Sequence, residues 1–377
     1  MDHVVKIKKG LDIQLEGIPS PKISNTPDSQ LYAIIPDDFV GLTPKVIVKP
    51  GEKVLTGSPV IHDKTHPNIV VTSPVSGEIV TIERGERRKV IKITIKPDAS
   101  QQALEFGRFD LENMDSSEIK DLLLKSGIFA FIKQRPYDIV ANPDTTPRDI
   151  FVTAFDSAPL APDYAFILKE EKQHFETGLK ALNKLTSGKV YVGISQRQPI
   201  DVKNATSVIF DGPHPAGNVG IQINHIAPID KGDTVWTMSA LDVLFIGRLF
   251  DKGIADFSRI VAVTGSEIDD PHYVRTRIGA SIASITQGMV KAVEYEQRYI
   301  SGNVLTGVKT DADGYIGATH SQITVIPEGN NYDEFLGWAS LNPHKYSTSH
   351  SYFSWLLGKK KKYTIDARIR GGERAII

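Results

Sequence analysis

Over the first hundred residues, apolar and polar positions alternate in short runs. Val- and Ile-rich segments at residues 45–48, 59–61, 69–71, 79–80 and 90–95 are separated by Gly51, Gly57, Gly77 and interspersed prolines. β-Branched enrichment, with a turn signal about every eight to ten residues, predicts short strands closing into a small barrel or sandwich. We assign residues 1–99 to this β-rich unit.

The period then changes. Asp115-Ser116-Ser117-Glu118 reads as a capping box, and Ile119, Leu122 and Leu123 follow at helical spacing, so a helix is predicted over residues 115–126. Beyond it the pattern alternates. Strands are predicted at 150–154, 189–194, 207–210 and 260–264, and helices at 170–186 and 234–250. Phe175, Leu179, Leu182 and Leu185 mark one face of the first of these helices. Strands separated by helices predict a parallel, Rossmann-like α/β domain, assigned to residues 100–257. Residues 258–330 are shorter and mixed, with turn signals at Gly302, Gly307 and Gly317. They are assigned to a small β-grasp-like (ubiquitin-like) module. Residues 331–377 form the start of a C-terminal region, with a short helix expected over 332–338. The fold class is therefore α/β and multidomain.

The two hairpins of the first unit carry a familiar order. Lys49-Pro50-Gly51-Glu52-Lys53-Val54 and Thr72-Ser73-Pro74-Val75-Ser76-Gly77-Glu78-Ile79 resemble the biotinyl/lipoyl carrier fold. Such a carrier displays a modified Lys at one hairpin tip. The matching tip here, Ser73-Pro74-Val75-Ser76, has none. A structural scaffold is expected, not a swinging arm.

Composition narrows the chemistry. The 377 residues include no cysteine, which excludes disulfides, thiolate nucleophiles and Cys-ligated zinc or iron–sulfur clusters within the chain. The net charge is −1, which offers no global attraction for nucleic acid. It is polarised, however. From His344 onward, eight Lys and Arg residues face only Asp366 and Glu373, so this stretch carries +6 and the rest −7. Lys359, Lys360, Lys361 and Lys362 directly follow Phe353, Trp355, Leu356 and Leu357. That pairing suits an anionic membrane surface, where each Lys contributes about 1 kcal/mol; a solvated loop is the alternative. The most apolar run, residues 235–250, is interrupted by Asp242 and Arg248, and the N-terminus does not read as a signal peptide. A cytoplasmic chain, at most peripheral to a membrane, is expected.

Several constellations bear on the chemistry. The segment after the 150–154 strand has two prolines and no glycine, poor material for a phosphate cradle, and no Walker sequence occurs. Gly212-Pro213-His214-Pro215-Ala216-Gly217-Asn218-Val219-Gly220 reads as a shaped loop in which His214 could act as a base or ligand. Asp269, Asp270 and His272 could meet a cation, or simply be solvated. Ser157 and Ser195 lack a nucleophile elbow, so no hydrolase is indicated. Two segments could hold a flat apolar ligand. One places Asp38 and Phe39 near turns; the other combines Phe129, Phe131, Arg135 and Tyr137. A quinone headgroup needs such apolar walls with donors for two carbonyl oxygens, although core packing explains the same aromatics.

Short motifs recur in a distinctive order: Ile7-Lys8-Lys9-Gly10-Leu11-Asp12, Gly41-Leu42-Thr43-Pro44, Arg135-Pro136-Tyr137, the Gly212 loop, Arg275-Thr276-Arg277-Ile278-Gly279-Ala280, Gly302-Asn303-Val304-Leu305-Thr306-Gly307 and Gly371-Gly372-Glu373-Arg374-Ala375. In this order the chain resembles the A subunits of the sodium-translocating NADH:quinone reductases. The resemblance implies a peripheral subunit on the cytoplasmic face of a bacterial inner membrane. Its complex would oxidise NADH, reduce ubiquinone and export sodium, with the other subunits as partners. It implies no tightly bound cofactor, no metal and no catalysis by the isolated chain, the flavins and iron–sulfur centre belonging elsewhere. The family is related to the flavin-carrying subunit of respiratory complex I. Asp38, Phe39, Phe131, Arg135 and Tyr137 are the expected quinone contacts. Members continue for several dozen residues past the Gly371 motif, so a shortened C-terminus is expected. A stand-alone flavin- or nucleotide-dependent oxidoreductase is the alternative.

Overall fold

The computed structural model describes residues 4–330, 356 and 361–367. The expected helix over 332–338 and most of the basic tail lie outside the described residues.

Two small antiparallel sheets build the first unit. One has the order Tyr32–Ile34, Val90–Pro97, Gly77–Arg84, Lys53–Val54; the other Pro44–Val46, Pro59–Asp63, Val70–Thr72. Ile93 and Ile95, two residues apart on one strand, are buried with Ile61, Val75 and Ile79, and Val60 is buried as well, beside an irregularity in the pairing between Pro59 and Ile61. The Ser73–Ser76 tip is itself buried. Ser73 Oγ donates to the Val75 carbonyl at 2.6 Å, and Thr72 Oγ1 to the Ser126 carbonyl at 3.0 Å. A Cβ on the neighbouring Gly127 would sit 2.6 Å from that hydroxyl, so the close approach requires glycine. The tip that a carrier would display is packed under a helix end.

Two early strands leave this unit. Val4–Lys6 pairs in parallel with Thr206–Asp211, and Ser20–Asn25 with His272–Arg277. The first 25 residues thus extend both of the other large sheets. Val5 buries its side chain with Phe155 and Phe210, a long-range partnership invisible to local periodicity.

The second unit is a seven-stranded sheet in the order Val4–Lys6, Thr206–Asp211, Val190–Ser195, Ile150–Thr153, Val235–Ser239, Lys133–Arg135, Ile139–Val140. The first five run parallel and the last two antiparallel. The capping box forms as expected: Asp115 accepts from Glu118 N–H, and Glu118 from Asp115 N–H, starting the helix Ser116–Lys125.

Three expectations are corrected here. The helix expected over 234–250 is a buried strand, Val235–Ser239, followed by the helix Ala240–Lys252. Val235–Met238 and Ala240–Phe250 are all buried, so one continuous, mostly apolar run conceals the boundary. The Ser239 hydroxyl caps the new helix by accepting from Leu241 N–H. The helix expected over 170–186 is present as Lys172–Asn183, but a second, unexpected helix, Tyr164–Glu170, precedes it, separated at Glu171. That carboxylate turns inward to Arg248 at 3.0 Å and Arg275 at 3.3 Å. Third, the Gly212 loop ends in an unexpected helix, Val219–Ile226.

The third unit has six strands in the order Val308–Thr310, Gln297–Ser301, Gln322–Pro327, Ser258–Thr264, His272–Arg277, Ser20–Asn25. Its central pair, Ser258–Thr264 and Gln322–Pro327, runs parallel.

Candidate functional site

The strand order in the seven-stranded sheet reverses beside Ile150–Thr153. The chain leaves this strand toward Val190–Ser195 and Thr206–Asp211, then returns through the helix Val219–Ile226 to Val235–Ser239 on the other side. A crevice forms outside the carboxyl ends of strands at such a point. Here it is a cleft of about 600 Å³, lined by Lys133, Arg135, Thr153, Phe155, Asp156, Tyr164, His214 and the start of the Val219–Ile226 helix. Asn303, Leu305 and Thr306 of the third unit close its far wall. A narrower arm of about 240 Å³ shares Lys133, Arg135 and Thr153 and reaches Phe131, Thr237, Ser239, Asp242 and Thr319.

Charged groups gather behind the cleft. Asp242 accepts from Arg259 at 2.5 Å, and both are buried. The same guanidinium donates to the Ala318 carbonyl and lies 5.0 Å from the Phe245 ring centroid, while its Nε has no partner. Burial pushes the Asp242 carboxyl above its ordinary range even against Arg259. Burial likewise raises Asp156, and takes the Tyr164 hydroxyl to about 12. Asp38 is raised to about 6 by burial, partly offset because it accepts from Ala318 N–H at 2.7 Å. His320 is lowered to about 4 by burial and by the nearby Arg259 and Lys133 charges. The Ser301 hydroxyl accepts from Gly317 N–H, which leaves its proton for His320 Nδ1 at 2.8 Å. Asp156 and Tyr164 line the cleft and Asp242 its narrow arm, whereas Asp38 and His320 line neither; displaced titrations at a crevice are characteristic of functional sites.

The expected residues are distributed unevenly. Arg135 lines both parts of the cleft and pairs with Asp138 at 3.3 Å. Phe131 reaches the narrow arm but is otherwise core, with its ring edge-on to Phe39 at 5.5 Å and to Phe245 at 5.2 Å. Phe39 faces only a void of about 10 Å³, too small for a ring. Phe129 packs against Trp236 in the interior. Asp38 sits beside Phe39 and is tied to the third unit through Ala318. Tyr137 is 75% exposed, at a hairpin tip, and does not line the cleft. The structure thus unites Asp38, Phe39 and Phe131, brings Arg135 to the crevice, and leaves Tyr137 outside.

Lys133, Thr153, Tyr164 and Asp242 are additions. Lys133 was legible in principle, since it lies two residues before Arg135 on the same face of a strand. The others needed the sheet order. His214 meets Ser157 Oγ at 3.0 Å and its N–H donates to Asp12, while Gly217 N–H donates to the same serine, so the loop is stitched to its surroundings. Asp270 pairs with Lys22, and His272 meets Ser24 Oγ at 2.8 Å. Among the described residues no cluster of three or more His, Asp or Glu is placed to hold a metal ion.

Comparison with known proteins matches all three units. The NqrA N-terminal barrel-sandwich hybrid domain corresponds to residues 5–98, the NqrA second alpha/beta domain to 114–255, and the NQRA C-terminal domain to 260–312. The chain is 37% identical over 383 residues to the A subunit of the Na(+)-translocating NADH-quinone reductase of Serratia proteamaculans (strain 568), covering 99% of this chain and 84% of that one. It is 35% identical over 381 residues, with the same coverage, to the corresponding protein of Neisseria meningitidis serogroup B (strain ATCC BAA-335 / MC58). Among solved structures, a chain of an NAD+-reducing [NiFe]-hydrogenase in the H2-reduced state gives a TM-score of 0.38 at 7% identity, covering 60% of this chain and 52% of that one.

Proposed function

Because this chain belongs to the NqrA family, the A subunits of the Na(+)-translocating NADH-quinone reductases, we propose that it is a peripheral member of a complex coupling NADH oxidation and ubiquinone reduction to sodium export. Among the described residues, no helix is long and apolar enough to cross a membrane. We read the chain as lying on the cytoplasmic face of the membrane. It would hold no tightly bound redox cofactor and act only with its companion subunits. At the finer level, the 3-2-1-4 order of the parallel strands supports a Rossmann-like second unit, and the parallel central pair of the third sheet supports a β-grasp-like module.

The observation that carries the quinone assignment is the crevice itself. Arg135 and Lys133 bring donors to a space walled by Phe131, Phe155 and Val219. A quinone ring lies against apolar walls while its two carbonyl oxygens accept hydrogen bonds, and this arrangement meets both needs. Photo-crosslinking a ubiquinone analogue to the whole complex, followed by peptide mapping, tests it. Label on the 131–135 and 153–164 segments is the expected result; label confined to other subunits overturns the assignment.

A further inference from the structure

The hairpin joining Gly77–Arg84 to Val90–Pro97 ends in a turn closed by Lys89 N–H donating to the Glu86 carbonyl at 3.0 Å. Its two central residues, Arg87 and Arg88, have φ of 53° and 61°. Positive φ at both positions defines a turn class that strongly prefers Asn-Gly, because a Cβ crowds the backbone there. Two consecutive arginines break that preference, and among the described residues neither side chain makes a hydrogen bond or ion pair of its own to favour it there. Residues 83–89 are all exposed, and neither Arg87 nor Arg88 meets a carboxylate among the described residues. The turn is closed by its own backbone and by one surface pair. Lys89 pairs with Asp37 at 2.6 Å, Arg84 donates to the Arg88 carbonyl at 3.1 Å, and Gly85 N–H donates to the Lys89 carbonyl at 2.8 Å. Strain kept at an exposed position points to a function for the side chains it displays.

We propose that the Arg87–Arg88 tip is a docking element that inserts into a carboxylate-lined face of a companion protein in the complex. Two features favour a protein over a lipid surface. Attraction of basic residues to an anionic bilayer is diffuse and needs no fixed geometry, so a strained turn would gain nothing there. Fixed guanidinium groups gain from bidentate pairing with fixed carboxylates, which a folded acidic face supplies. Membership of a multi-subunit family supplies the partner class. The proposal does not depend on the quinone assignment, because the tip lines no part of the cleft.

The test uses the assembled complex and two double variants. In R87G/R88G the strain is relieved while both guanidinium groups are lost. The isolated chain is expected to unfold at an equal or higher temperature, yet to rejoin the remaining subunits roughly tenfold more weakly. R87D/R88D should assemble more weakly still and lose the salt sensitivity of the wild-type association. Unchanged assembly by both variants overturns the proposal. So does normal assembly combined with lost flotation on phosphatidylserine vesicles, which would assign the tip to lipid. A glycine variant that unfolds at a lower temperature would show the arginines to be structural and also overturn it.

Discussion

Two buried arginines on neighbouring elements have opposite surroundings. Arg248, 2% exposed, is matched by Glu171 at 3.0 Å and donates to the Ser258 carbonyl at 2.6 Å, with the Asp256 carbonyl also in reach. It joins the Ala240–Lys252 helix to the break between two other helices and to the third sheet. Arg259 also has a carboxylate, Asp242, and a carbonyl, Ala318, but its Nε is unpaired and its carboxylate partner faces the narrow arm of the cleft. A complete network that lines no part of the crevice serves the fold. An incomplete one beside it keeps charge near a place where a ligand can sit, at a cost in stability.

The largest expected effect tests the structural side of this contrast. Glu171→Ala strands Arg248 in the interior and should cost about 3 kcal/mol in denaturant unfolding. A loss no greater than that of an ordinary surface substitution would erase the distinction between the two arginines. At the contact between the first and third units, where Asp38 accepts from Ala318 N–H, Asp38 ionises against its own burial. Its folded pKa of about 6 lies above the ordinary 3.8, so its contribution to stability is complete below that ordinary value and is lost as pH rises through about 6. Asp38→Asn should therefore stabilise the chain by about 2 kcal/mol at pH 8 and have little effect near pH 4, measured by denaturant titration across pH. A uniform effect across pH would show that burial does not raise the Asp38 carboxyl.

Smaller effects separate cleft residues from bystanders. Arg135→Ala should weaken quinone binding about tenfold while changing stability little, because its partner Asp138 is itself half-exposed. Tyr137→Ser should change quinone affinity by less than about twofold in the same titration, since the exposed residue lines no part of the crevice. If Tyr137→Ser is the more damaging of the two, the quinone lies at the hairpin tip and the cleft assignment fails.

Local chemistry explains what was legible before any coordinates. The Asp115–Glu118 capping box, the Ile150 strand and the missing Lys at the Ser73–Ser76 tip depend on neighbours within a few residues. Legibility fails where one signal serves two structures. Residues 235–250 are apolar whether strand or helix, so a Ser239 cap in mid-run does not stand out. Phe39, Phe129 and Phe131 carry the rings a quinone wants, but the same rings fill a core. Their burial follows from packing against Phe245, Phe257 and Trp236, far along the chain. Arg87-Arg88 gives no signal at all, because only the backbone shows the left-handed turn beneath it.

The sequence by itself determined the family, the order of most elements and the absence of cysteine chemistry, since motif order and composition require no contacts. Tertiary structure decided which side chains meet. Lys133, Thr153, Asp242 and Asn303 come from four separate segments and converge only because the sheet reverses its order beside Ile150–Thr153 and the third unit closes over the gap. Short-range sterics and burial write local pattern. Convergence at a crevice depends on long-range strand order, which no nearest-neighbour rule encodes.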